Sequence, residues 1–198
     1  METKLMKIFE ILKTFLNDDD LKKLDQMSKE LESLNKEDAA EVSYRISGVS
    51  IFAQYTQIDS YTIFDFALDM IEKKKRGENI WEIHPFDIYL FLEESVHYST
   101  NDAKMGKIGP EFLGITILIK IYFIKENYPK DYQVIKDYKK DLITEISKID
   151  CENIFKAGIE GAKMIIAQEL KTQLSEFELS KKLFDKSAIY TEGPGTVN

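Results

Sequence analysis

Apolar residues recur along this chain at intervals of three and four, and that period decides what it can fold into. Leu5, Ile8, Phe9, Leu12, Phe15 and Leu16 are separated by 3, 1, 3, 3 and 1 positions, which places them on one face of a helix. Leu21, Leu24, Met27, Leu31 and Leu34 mark a second face, and Val42, Ile46, Val49, Phe52 and Ala53 a third. No run alternates apolar and polar residues between hairpin signals, and no period of 20–50 residues repeats. The expected fold is therefore all-α, a single-domain bundle of eight or nine helices over residues 1–190, with a frayed tail, TEGPGTVN, at 191–198.

Helix boundaries are marked by their usual chemistry. Asn-Asp-Asp-Asp at 17–20 supplies an N-cap, and Asn35 with Asp38 three residues on opens the helix that runs toward Ile58. Asp59 or Ser60 caps a helix from Tyr61 to about Arg76, closed by Lys-Lys-Lys-Arg-Gly. The four cations complement the helix dipole there, and Gly77 is the expected C-cap. Pro85 is placed to begin a helix through His97, and STNDAKMGKIGP (99–110) reads as the longest polar loop. Glu111–Asn127 reads as a central buried helix, Pro129 starts the next, and two more cover Cys151–Gln173 and Leu174–Ile189. Within the first of these, Gly158 and Gly161 are expected to let a neighbouring helix approach closely.

The most apolar run, Phe112–Ile124, has thirteen residues with Lys120 inside it, too short for the ~20 that cross a bilayer. Four charged residues interrupt the apolar N-terminal segment, which therefore does not read as a signal peptide. The single cysteine, Cys151, provides neither a disulfide nor a multi-cysteine zinc site. A cytoplasmic protein without contact to a membrane is expected. Of the 198 residues, 35 are acidic and 27 basic, and the first hundred hold 20 acidic against 12 basic. The whole excess of −8 thus lies in that half, opposite to the basic footprint that phosphate recognition needs.

Three motifs bear on function. ISGVSIFAQY (46–55) places Gly48, Val49, Ser50 and Tyr55, with Ala39 and Ala40 upstream, in a pattern that resembles the turn and recognition helix of TetR-type repressors. That resemblance implies three N-terminal DNA-binding helices and a ligand-binding, dimerising remainder. No basic residue occurs from Ile46 to Met70, however, and Arg45 is the only one flanking it, so nucleic acid is not the expected partner. Glu94 and His97 form a Glu-x-x-His unit of the kind that di-iron bundles use twice, but the chain has two histidines and no second unit, so no metal or cofactor is expected. Asp65, Asp69 and Glu72 make an acidic stripe on an otherwise apolar helix. Such a stripe could hold magnesium, as in all-α nucleotide pyrophosphohydrolases, or face a basic protein.

Phosphate-binding glycine loops, nucleophile elbows and His-Glu-x-x-His are all missing. The expected function is therefore non-catalytic: an acidic helical protein that binds and neutralises a basic protein, as a bacterial immunity protein or antitoxin-like inhibitor does. Asp65, Asp69, Glu72, Asp87, Glu93 and Glu94, with Trp81 and Tyr98 as aromatic anchors, are the expected contact residues. A TetR-like ligand-responsive regulator and a metal-dependent nucleotide phosphohydrolase are the alternatives.

Overall fold

The computed structural model describes residues 18–53, 60–138 and 152–191. Among them are seven helices and no strand: α1 (Asp18–Glu32), α2 (Lys36–Ala53), α3 (Ser60–Lys75), α4 (Pro85–Lys104), α5 (Pro110–Asn127), α6 (Pro129–Tyr138) and α7 (Glu152–Thr191). The all-α class is as expected, with seven helices among the described residues where eight or nine were anticipated. The helix expected over residues 5–16, Cys151, and the tail beyond Thr191 lie outside the described residues. Contacts gather in two compact units, Met1–Ile80 and Trp81–Asn198.

In the first unit α3 packs on both α1 and α2. Phe66, Ala67, Met70 and Ile71, spaced one, three and one apart, form its buried stripe, and Val42 and Val49 of α2 are also buried. Two of the expected caps are seen at Asn35 and Gly77, while Asn17 and Asp59 lie outside the described residues. Asn35 Oδ1 accepts the Asp38 N–H at 2.9 Å, while the Asn35 side-chain amide donates to Asp38 Oδ2 at 2.5 Å. At the end of α3, Gly77 has φ 71°, its N–H reaches the Lys74 carbonyl at 3.0 Å, and the Glu78 N–H reaches Lys73 at 2.9 Å. That is a Schellman cap, which needs the left-handed backbone that glycine adopts freely.

In the second unit α4 packs on α5 and α7, and α5 also packs on α6 and α7. Pro85 is the first residue of α4, Pro110 of α5 and Pro129 of α6. α4 runs on to Lys104, so the expected loop at 99–110 shrinks to the turn around Gly106 (φ 69°). Its polar side chains bond to their own helix instead of leaving it. The Thr100 hydroxyl donates to the Val96 carbonyl at 2.7 Å, and Asn101 Nδ2 lies 3.1 Å from His97 Nε2.

Two further expectations are corrected. α5 is not wholly buried: Ile121, Phe123 and Ile124 are, but Phe112 and Ile115 near its start are exposed. The two helices expected over 151–189 are one helix of 40 residues. Neither glycine nor proline stands near Leu174, and Ser175 bonds back to the Lys171 carbonyl at 2.9 Å, so nothing breaks the ladder. No helix among the described residues is long and apolar enough to cross a membrane.

α5 and α7 approach closely at Gly158. A Cβ there would lie 2.5 Å from Ile119 Cδ1, 3.0 Å from its Cγ1 and 3.3 Å from its Cγ2, whereas one on Gly161 would meet nothing within 4 Å. Only the first of the two glycines therefore serves helix packing. Both substitutions to alanine gain the same helix propensity, up to ~1 kcal/mol, so their difference isolates the packing overlap. Gly161→Ala should raise the melting temperature, and Gly158→Ala should be less stable than Gly161→Ala by about 1–3 kcal/mol. Thermal or urea unfolding of the two variants checks this, and equal stabilities would contradict the close approach.

Candidate partner-binding surface

The acidic stripe of α3 is matched by lysines of its own unit. Asp65 pairs with Lys23 of α1 at 2.6 Å, Asp69 with Lys73 at 3.6 Å and Glu72 with Lys75 at 3.7 Å. The same basic run reaches outward: Lys75 also pairs with Glu30 of α1, and Lys74 lies 2.6 Å from Glu41 and 3.2 Å from Asp38 of α2. Lys-Lys-Lys therefore does more than complement its helix dipole, because it ties α3 to both neighbours. A carboxylate already facing a lysine must give up that partner before it can meet another protein.

The other expected contact residues belong to the second unit. Trp81 is buried with its ring 6.3 Å from that of Phe177 on α7, so it is a packing residue. Asp87 is buried too, and its Oδ2 accepts the His84 N–H at 2.8 Å, while His84 Nδ1 accepts the Phe86 N–H at 3.0 Å. The two side chains form a capping box at the start of α4, with His84 where Ser or Thr usually stands. Glu93 pairs with Lys120 across the α4–α5 contact. Glu94 is half-buried, and Tyr98 is exposed with its ring edge-on to His97. Asp65, Asp69 and Glu72 thus share one face of one helix, whereas Trp81, Asp87 and Glu93 serve the interior of the second unit.

The motifs behind the two alternatives also find their places. Ile46–Ala53 is the uninterrupted second half of α2, with Val49 buried and no turn at Gly48. Arg45 is 1% exposed, its guanidinium lies 5.1 Å over the Phe66 ring, and its Nε donates to the Ile80 carbonyl at 3.2 Å. It is thereby held inside the unit, away from where a phosphate could approach. Tyr55 lies outside the described residues. Among the described residues no three of His, Cys, Asp and Glu come together as metal ligands would, and His97 faces solvent beside Asn101.

Sequence reasoning missed the outer side of α7. Phe155, Ala162, Ile166 and Leu170 are buried, but Ile154, Ile165, Leu179 and Leu183 are 46%, 57%, 58% and 59% exposed. At 3.6 residues per turn these four lie within about 40° of one another, roughly 110° from the buried face. They form a row about 44 Å long at 1.5 Å per residue. The signal was apolar residues spread over more of the helix circumference than one packing face covers, with Ile154 and Ile165 each about 100° from the buried Phe155 and Ile166. No family model matches this chain, nor does any curated protein or solved structure.

Charge also perturbs an aromatic cluster beside Asp87 and Glu93. The Tyr89 and Tyr128 rings lie 5.5 Å apart, and Phe123 is 6.1 Å from Tyr128. Burial, then the Glu93 carboxylate that its hydroxyl bonds, holds Tyr89 well above the ordinary tyrosine range. Burial, then the charges of Asp131 and Asp87, pushes Tyr128 up to about 12. The unfolded chain therefore loses these protons first as pH rises. This share of stability is intact below pH 10.0, the ordinary value, and declines as pH climbs toward about 12. Replacing both residues by phenylalanine should flatten that decline in denaturant titrations across the window. An unchanged slope would contradict the assignment.

Proposed function

We propose that the protein is not an enzyme and acts by binding another protein, a basic one, along the outer row of α7. An immunity protein or antitoxin-like inhibitor that masks a basic toxin is the form this takes. The observation that supports the reading is the row itself: Ile154, Ile165, Leu179 and Leu183, exposed and aligned on one continuous helix. Apolar side chains aligned on a helix surface, with the polar Gln168 and Thr172 between them, can anchor an elongated partner at separated points.

Charge selects the partner's sign. Glu169 and Glu176 border the row on one side. A partner with basic residues flanking an apolar strip meets both features, and the net charge of −8 favours its approach. The α3 stripe, with its lysines, is secondary in this reading.

The test is affinity capture with the full chain and with an Ile165→Lys/Leu179→Lys variant. Both side chains are more than half exposed, so the variant should melt within about 0.5 kcal/mol of the native protein. A stoichiometric basic protein should be captured by the native chain and bound at least roughly 30-fold more weakly by the variant, as loss of interface anchors predicts. Equal capture by both chains, or a DNA fragment retained in low salt instead, would overturn the reading.

A further inference from the structure

We infer that the start of α4 is a pH-sensitive clasp, closed while the His84 ring is neutral and released when the ring takes up a second proton. His84 is the N-cap of α4, and its Nδ1 accepts the Phe86 N–H at 3.0 Å. A neutral imidazole carries one proton, so with Nδ1 as acceptor that proton sits on Nε2. The next proton can go only onto Nδ1, the atom that holds the cap. Both ring nitrogens are then donors, and the Phe86 N–H faces another N–H.

The neighbouring groups are already committed. Asp87 Oδ2 accepts the His84 N–H at 2.8 Å, and the His84 carbonyl accepts the Asp87 N–H at 2.9 Å. Phe86 is 1% exposed, so its N–H cannot turn to water unless the first turn of the helix opens. Serine, threonine and asparagine at an N-cap keep their acceptor oxygen at every ordinary pH, whereas histidine changes charge between about pH 5 and 8. Histidine at this position therefore makes the cap depend on acidity.

Charged groups lie near this end on each packed element. Asp87 of α4 and Glu82 before it attract an imidazolium, but both stand within three residues of His84 in the unfolded chain as well. Glu126 of α5 and Lys163 of α7 line a cleft of about 320 Å³ beside Ile83 and Pro85, and their charges oppose each other. Asp131 of α6 acts on Tyr128 together with Asp87. The hydrogen bond to Phe86 is the contribution that only the folded chain makes. The unfolded chain thus takes up the proton more readily, so the cap's share of stability is full above the ordinary histidine range and is lost as pH falls through it. Pro85 and Ile88 line the same cleft with Ile159, so release of the first turn loosens its α4 wall. The clasp is independent of the α7 row.

The experiment is urea unfolding of the full chain and of His84→Asn at about pH 7.5 and 5.0, on either side of the ordinary histidine value. Asparagine supplies a capping oxygen that does not titrate. Between the two pH values the equilibrium constant for unfolding should rise at least roughly fivefold more in the native chain than in His84→Asn. His97→Asn, which alters the only other histidine, should behave as the native chain does. In the native chain the Phe86 amide should also lose at least roughly fivefold in hydrogen-exchange protection relative to the Ile124 amide, a readout that needs no variant. Equal pH dependence in the native chain and His84→Asn, the same reduction in His97→Asn, or unchanged protection of Phe86 would each overturn the inference.

Discussion

A helix leaves four N–H and four C=O groups without partners at its ends, and the described structure is organised by how this chain satisfies them. Pro85, Pro110 and Pro129 each stand first in a helix, where the missing N–H removes one orphan donor. Gly77 and Gly106 turn left-handed and return two N–H groups to the last turn of the preceding helix. His84 and Asp87 close the start of α4 reciprocally. Because these ends are fixed, the faces between them are fixed in register, and the contacts of α4 with α5 and α7 follow.

Electrostatics ties helices together within the first unit. The acidic excess is shared equally when the chain is divided where its contacts divide. Residues 1–80 hold 16 acidic and 12 basic side chains, and residues 81–198 hold 19 and 15. Within the first unit Lys74 and Lys75 of α3 reach acids on α2 and α1, and Asp65 of the stripe reaches Lys23 of α1, so the charged side chains of α3 link three helices. Pairs this exposed are weak singly, which suits a role in fixing register more than in supplying stability. Arg45 shows the other extreme, a cation kept inside by an aromatic face and a backbone carbonyl.

α7 has two different sides. Its inner face packs on α4 and α5, with Gly158 pressed against Ile119, and that contact lies beside the cleft that Ile159 lines. Its outer row has no comparable partner among the described residues. A continuous 40-residue helix can hold both features because packing along one side fixes the direction of the other.

The sequence alone determined the helical class, Pro85 and Pro129 as helix starts, the Asn35 cap and the glycine that ends α3. These are local effects, governed by backbone hydrogen bonding and φ within a few residues, so they can be read in a few residues. Tertiary structure decided which polar residues remain available. Asp87 and Trp81 look like surface anchors in the sequence but are buried, because a cap and an aromatic contact claim them. It also decided which apolar residues are left over: Ile165 and Ile166 are indistinguishable by type, and only the placement of α4 and α5 buries one and exposes the other. Burial is a property of what lies opposite a side chain, and that is set by residues far away in the sequence.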